Sequence, residues 1–186
     1  MFSPLNNNRF VLPIRNEDNI CGSENALLTI VEYGNYQCPT SGEAYWKIKE
    51  IQQLLGQNCC FVFRHFPQTD IYINAQKTAE VAESAAIQGK FWQMHEMLFE
   101  NQQALNDSDL VEYAVEIGLN VTQFLKDMSE RTFFHRVQED FMSGIRNGVT
   151  RTPGCFINGI RYDAEIDLIK LLTLIINACK SGEFTY

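Results

Sequence analysis

Residues 31–39, with the sequence VEYGNYQCP, join the end of an apolar segment to a short turn and a cysteine followed by proline. The apolar run starts at residue 26, and its sequence ALLTIVEY is typical of a parallel strand that is covered on both faces. Pro39 suits the first position of a helix, where its missing N–H would be unpaired in any case. Apolar residues at helical spacing follow until Gly56: Ala44, Ile48, Ile51 and Leu55. The stretch therefore predicts a strand, a turn and a helix whose N-terminus holds Cys38.

The segments after this helix indicate an α/β fold with a helical insertion. The sequence CCFVFRHF that starts at Cys59 predicts a second strand and completes a β-α-β unit with a right-handed crossover. Nearly everything from about Asn74 to Asn147 has helical periodicity, and the last of these helices places four apolar residues on one face: Phe134, Val137, Phe141 and Ile145. Asn158 and Gly159 then predict the turn of a β-hairpin, since both tolerate positive φ. A closing helix is expected to carry Leu168, Leu172, Ile175 and Cys179.

Composition and charge exclude several classes of partner. The chain has 186 residues, of which 45% are hydrophobic, and a formal net charge of -8. No basic surplus is present to neutralise phosphates, so neither nucleic acid nor an anionic membrane is an expected partner. The sequence has neither a signal-like N-terminus nor a run of spanning length, and this predicts a cytoplasmic protein without membrane insertion.

Six cysteines occur without the spacing of a metal site. They form no C-x-x-C pair, so no metal ligand set is predicted, and in a reducing compartment most are expected to be core thiols. Cys38 is different, because the unpaired amides and partial positive charge of a helix N-terminus stabilise a thiolate. Cys155 lies two residues beyond Pro153 on the same side of its strand, so it is either a core thiol or a partner for Cys38.

Four separated blocks of the sequence resemble the bacterial DsbA-like oxidoreductases of the thioredoxin superfamily. These blocks are VEYGNYQCP, FVFRHFP, QGKFWQMHEMLFENQ and TPGCFINGIRYD, and they occur in the family's order. The resemblance implies a thioredoxin fold in two parts, residues 25–67 and 148–186, which are separated by a DsbA-type helical insertion at 68–147. Residues 1–24 are then predicted to form a polar N-terminal arm.

The same resemblance implies roles for six residues around the predicted nucleophile. Ser41 stands where the family ordinarily carries a second, resolving cysteine; it cannot resolve a mixed disulfide, although its hydroxyl could hydrogen-bond to the Cys38 thiolate. Glu32 matches a buried carboxylate that tunes proton transfer, but it could equally lie at the wet end of its strand. The residues expected to contact substrate are Thr152, a cis Pro153, Pro39 and Thr40.

These features predict a monothiol oxidoreductase. Cys38 would attack a disulfide or a glutathionylated thiol, and an external thiol, with glutathione as a possible co-substrate, would resolve the adduct. Protein thiols or glutathione are the expected partners, and no bound cofactor is expected. Two alternatives stay open: an enzyme similar to kappa-type glutathione transferases or the related isomerases, and a binding module that holds extended peptide without catalysis.

Overall fold

The computed structural model describes residues 12–163 and the pairs 166–167, 169–170 and 172–173. Residues 1–11 of the predicted arm lie outside the described residues, as do Leu168, Ile175 and Cys179 of the predicted closing helix. The strands are β1 (Asn19–Gly22), β2 (Leu28–Gly34), β3 (Cys59–His65), β4 (Gly154–Ile157) and β5 (Ile160–Tyr162). The helices are α1 (Pro39–Leu55), α2 (Ala75–Ala86), α3 (Phe91–Glu100), α4 (Asp107–Glu116), α5 (Val121–Glu130) and α6 (Phe134–Arg146).

The five described strands form one sheet in the order β1-β3-β2-β4-β5. β2 and β3 are parallel, as the predicted β-α-β unit requires, whereas β1, β4 and β5 each pair antiparallel with a neighbour. The hairpin between β4 and β5 turns at Asn158 and Gly159, whose φ values are 47° and 76°. This positive φ at both positions matches a type I′ turn. The predicted mixed α/β fold with its helical insertion is confirmed.

Both faces of the sheet are buried, which explains the nearly continuous apolar sequence of its central strands. Ile30 and Phe63 face a core that also contains residues of α1, α2, α3, α4 and α5. Val31 and Val62 face the opposite core, which Phe141 of α6 helps to cover. Alternate residues of one strand therefore enter different cores.

The folded unit begins before residue 25, contrary to the prediction of an arm up to residue 24. β1 pairs with β3 at the edge of the sheet, and Leu12 is buried in the second core. A buried ion pair holds this segment, because the guanidinium of Arg64 contacts both carboxylate oxygens of Asp18, at 2.9 and 2.7 Å. This strand has no clear signal in the sequence, because β1 has only four residues and includes no long apolar run.

The buried face of α6 also differs from the prediction. Val137 is buried as expected, but Ile145 is 47% exposed. Asp140 and Ser143 occupy buried positions instead. Asp140 is paired there with two guanidinium groups, at 2.5 Å from Arg15 and 2.6 Å from Arg136. Helical spacing of apolar residues did not identify this face because paired polar groups take part of it.

Candidate active site

Cys38 is the N-cap residue of α1, and Pro39 is the first residue of the helix. The backbone of Cys38 is extended, with φ -79° and ψ 120°, and the Cys38 N–H donates to the Asn35 carbonyl at 3.0 Å. The side chain of Cys38 is 4% exposed. The turn that precedes α1 therefore places the sulfur beside the free amides of the first helical turn, where an anion is stabilised.

Two residues that the sequence analysis assigned to substrate contact lie directly beside this sulfur. Cys38 Sγ is 3.0 Å from Thr40 Oγ1 and 3.5 Å from the carbonyl oxygen of Thr152. The Thr40 hydroxyl also donates to that carbonyl at 3.0 Å. Burial acts to raise the pKa of the Cys38 thiol, but hydrogen bonds with Thr152, Thr40, the Ser41 amide and Tyr72 outweigh it. The pKa of Cys38 consequently lies below its ordinary value.

Ser41 is buried in the first turn of α1, and its hydroxyl has a different partner from the expected one. Ser41 Oγ accepts a hydrogen bond from the N–H of Asn35 at 3.4 Å. The backbone N–H of Ser41, not its hydroxyl, contributes to the low pKa of Cys38. The hydroxyl that lies beside the sulfur is that of Thr40, two residues further along the chain from Cys38.

Two residues near Cys38 were not identified from the sequence. The side-chain amide of Gln102 donates to the carbonyls of Tyr36 and Cys38, at 2.7 and 3.0 Å, and so fixes the turn before α1. The phenol of Tyr72, in the segment between β3 and α2, also acts to lower the pKa of Cys38. Gln102 is the last residue of a block that carries the resemblance, but no motif marks Tyr72, because only the tertiary fold brings it to the thiol.

Pro153 follows Thr152 through a cis peptide bond at the start of β4. The Thr152 hydroxyl donates to Gln68 Oε1 at 2.7 Å, which ties this strand start to the segment after β3. Beside it lies a pocket of about 290 Å³ whose lining includes Thr40, Arg151, Pro153 and Cys155. This pocket forms a groove between the first part of α1 and the start of β4, and Thr40, which lines it, lies 3.0 Å from the Cys38 sulfur.

Glu32 is buried in β2, so its position at the wet end of a strand is excluded. It lies opposite Cys155 of β4 in the sheet register, and its Oε1 has no hydrogen-bond partner. A Cβ atom at position 34 would lie 2.8 Å from this oxygen, so Gly34 leaves room for the carboxyl group. Burial, together with the nearby charge of Cys38, raises the pKa of Glu32 to about 8. Glu32 can therefore exchange a proton near neutral pH.

The other four described cysteines are less acidic than ordinary thiols. Burial raises the pKa of Cys59 to about 12 and that of Cys60 to about 11. Burial also raises the pKa of Cys21. Burial and the charge of Glu32 together raise the pKa of Cys155 well above its ordinary value. All five cysteines in the described part of the chain are free thiols. Among them, Cys38 alone has a lowered pKa.

A second cluster of titratable groups, away from Cys38, holds His65, Glu83 and Asp140 close together. His65 Nε2 lies 2.8 Å from Glu83, and the Asp140 carboxylate accepts from the His65 backbone N–H at 3.0 Å. Arg15 and Arg136 contact the same carboxylate. The positive charge of these two guanidinium groups disfavours binding of a metal cation at the cluster. The cluster is therefore an ion network that joins β3, α2 and α6.

Comparison with known proteins identifies the family of this chain. A family model described as Thioredoxin matches residues 15–177. The chain belongs to this thioredoxin family. This membership confirms the thioredoxin-superfamily resemblance of the four sequence blocks.

Solved structures of thioredoxin-superfamily proteins share the fold. A thioredoxin-like oxidoreductase from Silicibacter pomeroyi is 20% identical with a TM-score of 0.77, over 89% of this chain and 94% of that one. BdbD from Bacillus subtilis is 21% identical with a TM-score of 0.74, over 88% and 93%. Alpha-DsbA1 from Wolbachia pipientis is 18% identical with a TM-score of 0.75, over 92% and 94%.

Curated relatives of this thioredoxin-superfamily chain are longer proteins named as antiporters. Na(+)/H(+) antiporter NhaA 3 of Salinispora tropica is 33% identical over 166 residues, which are 89% of this chain and 25% of that protein. Na(+)/H(+) antiporter NhaA 1 of Mycolicibacterium vanbaalenii is 36% identical over 157 residues, or 83% and 25%. The chain spans about a quarter of the length of these relatives. Within its described residues, no helix has both the length and the apolar character needed to cross a membrane.

Proposed function

We propose that this chain is a monothiol thiol–disulfide oxidoreductase with Cys38 as its nucleophile. The observation that carries the proposal is the position of Cys38 at the N-cap of α1, where its sulfur lies 3.0 Å from Thr40 Oγ1. The pKa of Cys38 is lowered there, whereas that of each of the other described cysteines is raised. The thiolate is the reactive form of cysteine, so Cys38 is the described thiol that is best suited to this chemistry. The DsbA-type fold of the solved structures supports the same class of reaction.

The reaction consists of two exchange steps. The Cys38 thiolate attacks one sulfur of a substrate disulfide, the substrate S–S bond breaks, and the departing thiolate takes up a proton from water. The mixed disulfide is then attacked by an external thiolate, with glutathione as the proposed resolver. The electron pair of the broken bond returns to Cys38, and the two outer sulfurs leave as a disulfide.

The proposal includes an external thiol because neither Ser41 nor Cys155 is suited to resolving the mixed disulfide within the chain. Ser41 has no sulfur. Cys155 is buried opposite Glu32, and the pKa of its thiol is raised well above the ordinary value, so it carries little thiolate at neutral pH. Cys155→Ala should therefore leave glutathione-dependent turnover unchanged, and a loss of turnover would assign the resolving step to Cys155.

The remaining site residues act around this nucleophile. We propose that Glu32, with its pKa near 8, exchanges the proton of Cys38 as the thiolate forms and is consumed. Thr152 and Pro153 are proposed to present the strand start to an extended substrate, with Thr40 on the opposite side of the groove and Pro39 next to it in the first turn of α1. The proposed substrates that bind in this groove are protein thiols and glutathionylated thiols. The cytoplasmic location stays a prediction from the sequence.

The antiporter names describe transport by much longer proteins. Since this chain matches about a quarter of each, we do not extend transport to it. We propose instead that it acts as a redox unit similar to the matching part of those proteins.

Alkylation with iodoacetamide at mildly acidic pH, followed by peptide mapping, tests the nucleophile. Cys38 should be labelled first, because it alone among the described cysteines has a lowered pKa. The Cys38→Ser variant is the matched control, and it should lose both the fast label and the release of glutathione from a glutathionylated peptide. Fast labelling of Cys21 or Cys155 in place of Cys38 would contradict the assignment. Conjugation or isomerisation of a substrate without disulfide exchange would favour the transferase alternative.

A further inference from the structure

The pocket beside Cys38 has the size of a site for a small ligand. Its volume is about 290 Å³, close to the lower end of the range of about 300–1,000 Å³ that is usual for small-molecule sites. Thr40 lines the pocket next to the nucleophile, because the Thr40 hydroxyl lies 3.0 Å from Cys38 Sγ and donates to the Thr152 carbonyl. Pro153 and Cys155 continue the wall along the start of β4. A small peptide whose sulfur is bonded to Cys38 can therefore extend into this space.

Charged side chains of both signs line the same pocket. They belong to α1, to the residue before Thr152, and to β5 and the residue after it: Glu43, Lys47, Arg151, Arg161 and Asp163. Cations thus outnumber carboxylates around the pocket, although the chain as a whole has a formal net charge of -8. The local charge favours a ligand that is negative overall.

Two of these five charged side chains remain available to a ligand. Arg161 Nε is paired with Asp163 at 2.7 Å, and Lys47 has an interaction as well. Arg151 and Glu43 are exposed and have neither a hydrogen bond nor an ion pair in the part of the chain that the structure describes. Glu43 belongs to α1 and Arg151 to the segment before β4, so the free anion and the free cation come from different walls of the pocket.

We propose that this pocket binds the glutathione half of a glutathionylated thiol, with Arg151 on a carboxylate and Glu43 on the ammonium group. The inference rests on the proposed function of Cys38 and names the substrate class of that site. Glutathione is a tripeptide with two carboxylates and one ammonium group at neutral pH, so it is negative overall and matches both free charges. A guanidinium group suits a carboxylate because its N–H groups can bind both oxygens.

Glutathione held in this pocket directs the attack of Cys38 to the glutathione sulfur. The Cys38 thiolate forms a bond with that sulfur, the S–S bond to the substrate protein breaks, and the electron pair goes to the protein sulfur, which takes up a proton from water. The mixed disulfide keeps the glutathione moiety in the pocket. A second glutathione thiolate then attacks the bound glutathione sulfur, the electron pair of the broken bond returns to Cys38, and oxidised glutathione leaves.

The test measures kcat/KM for two mixed disulfides of one neutral peptide, the first with glutathione and the second with β-mercaptoethanol. The wild type should prefer the glutathione substrate. Arg151→Gln should lower kcat/KM for that substrate about tenfold, mainly by raising KM, because a charge-assisted hydrogen bond is lost. The same variant should use the mercaptoethanol substrate as the wild type does. Arg146→Gln is the matched control, since Arg146 is an exposed arginine at the end of α6 outside the pocket, and it should change neither value.

The contact with the ammonium group has a separate test. Glu43→Gln should lower kcat/KM for the glutathione substrate about threefold, as expected for an exposed ion pair. A substrate made with N-acetylated glutathione lacks the ammonium group, so Glu43→Gln and the wild type should use it equally well. Equal losses on the acetylated and unmodified substrates would contradict the assignment of Glu43.

The ratio of the two kcat/KM values within one variant does not depend on the amount of folded protein, so a loss of folded protein cannot imitate the expected result. Arg151→Gln overturns the inference if it slows both mixed disulfides equally or neither of them. The inference is also overturned if the loss follows acidic residues placed in the peptide, because Arg151 then recognises the protein half of the substrate. If the wild type uses both disulfides equally well, the inference fails and the proposed function stands. If the wild type uses neither, the proposed function itself fails.

Discussion

The environment of a single sulfur atom accounts for most of the chemistry available to this chain. The Thr40 hydroxyl and the Ser41 amide, both in the first turn of α1, lie beside Cys38. Together with hydrogen bonding to Thr152 they outweigh the burial of the thiol, which by itself would raise its pKa. At residue scale, the anion is stabilised by several neutral donors and the helix N-terminus rather than by one cationic side chain.

Ser41→Cys should convert the site into a dithiol. Positions 38 and 41 are the N-cap and third residues of α1, one helical turn apart, and the substitution exchanges one oxygen for sulfur. Mild oxidation should then link the two cysteines, as peptide mapping under non-reducing conditions would reveal. Reduction of insulin by dithiothreitol should accelerate by about tenfold or more, because resolution becomes intramolecular. Ser41→Ala is the control for loss of the hydroxyl, and failure of the variant to form the disulfide would contradict the proposed geometry.

Glu32→Gln should alter how stability depends on pH. The pKa of Glu32 rises from an ordinary 4.5 to about 8 on folding, so the folded state binds the proton more tightly than the unfolded state. Its contribution to stability is complete below about pH 4.5 and is lost as pH rises through 8. Between about pH 5 and 8.5 the wild type should lose on the order of 3 kcal/mol more than Glu32→Gln does. Urea unfolding at both pH values measures this difference, and parallel losses in the two proteins would contradict it.

At the scale of elements, a short edge strand is held by charge as well as by backbone pairing. β1 has four residues, and the segment before it carries Asp18, which contacts the buried Arg64 of β3. The side chain of Trp92 in α3 also donates to the Ile20 carbonyl at 3.1 Å. These contacts join the N-terminal segment to the sheet and to the helical insertion.

Asp18→Ala should destabilise the fold strongly. Burial acts to raise the pKa of Asp18, but Arg64 and Arg15 together with the Arg15 backbone amide lower it, so the carboxylate is ionised at neutral pH. Its removal leaves the buried Arg64 without its anionic partner, which should cost about 3 kcal/mol in the free energy of unfolding. Chemical denaturation measures the cost. Glu17→Ala, at a neighbouring exposed position, should change stability by less than about 0.5 kcal/mol, and an equal effect of the two variants would rule out the buried pair as the cause.

At the scale of the whole molecule, the sheet brings the candidate site together from distant parts of the sequence. The antiparallel pairing of β2 with β4 sets Glu32 opposite Cys155 and brings the Thr152–Pro153 bond to the N-terminus of α1. The helical insertion contributes Gln102 to the same turn. Residues more than a hundred positions apart thus surround one thiol.

The sequence by itself determined the order of the elements and the position of Cys38. Apolar runs, helical spacing, Pro39 and the Asn158–Gly159 turn act locally, so their effects can be predicted without long-range contacts. Only the tertiary structure decided that Thr40 contacts the sulfur, that Glu32 is buried, and that the chain before residue 25 enters the sheet. These outcomes depend on packing between distant segments and on the pairing of buried charges, and neither leaves a periodic pattern in the sequence.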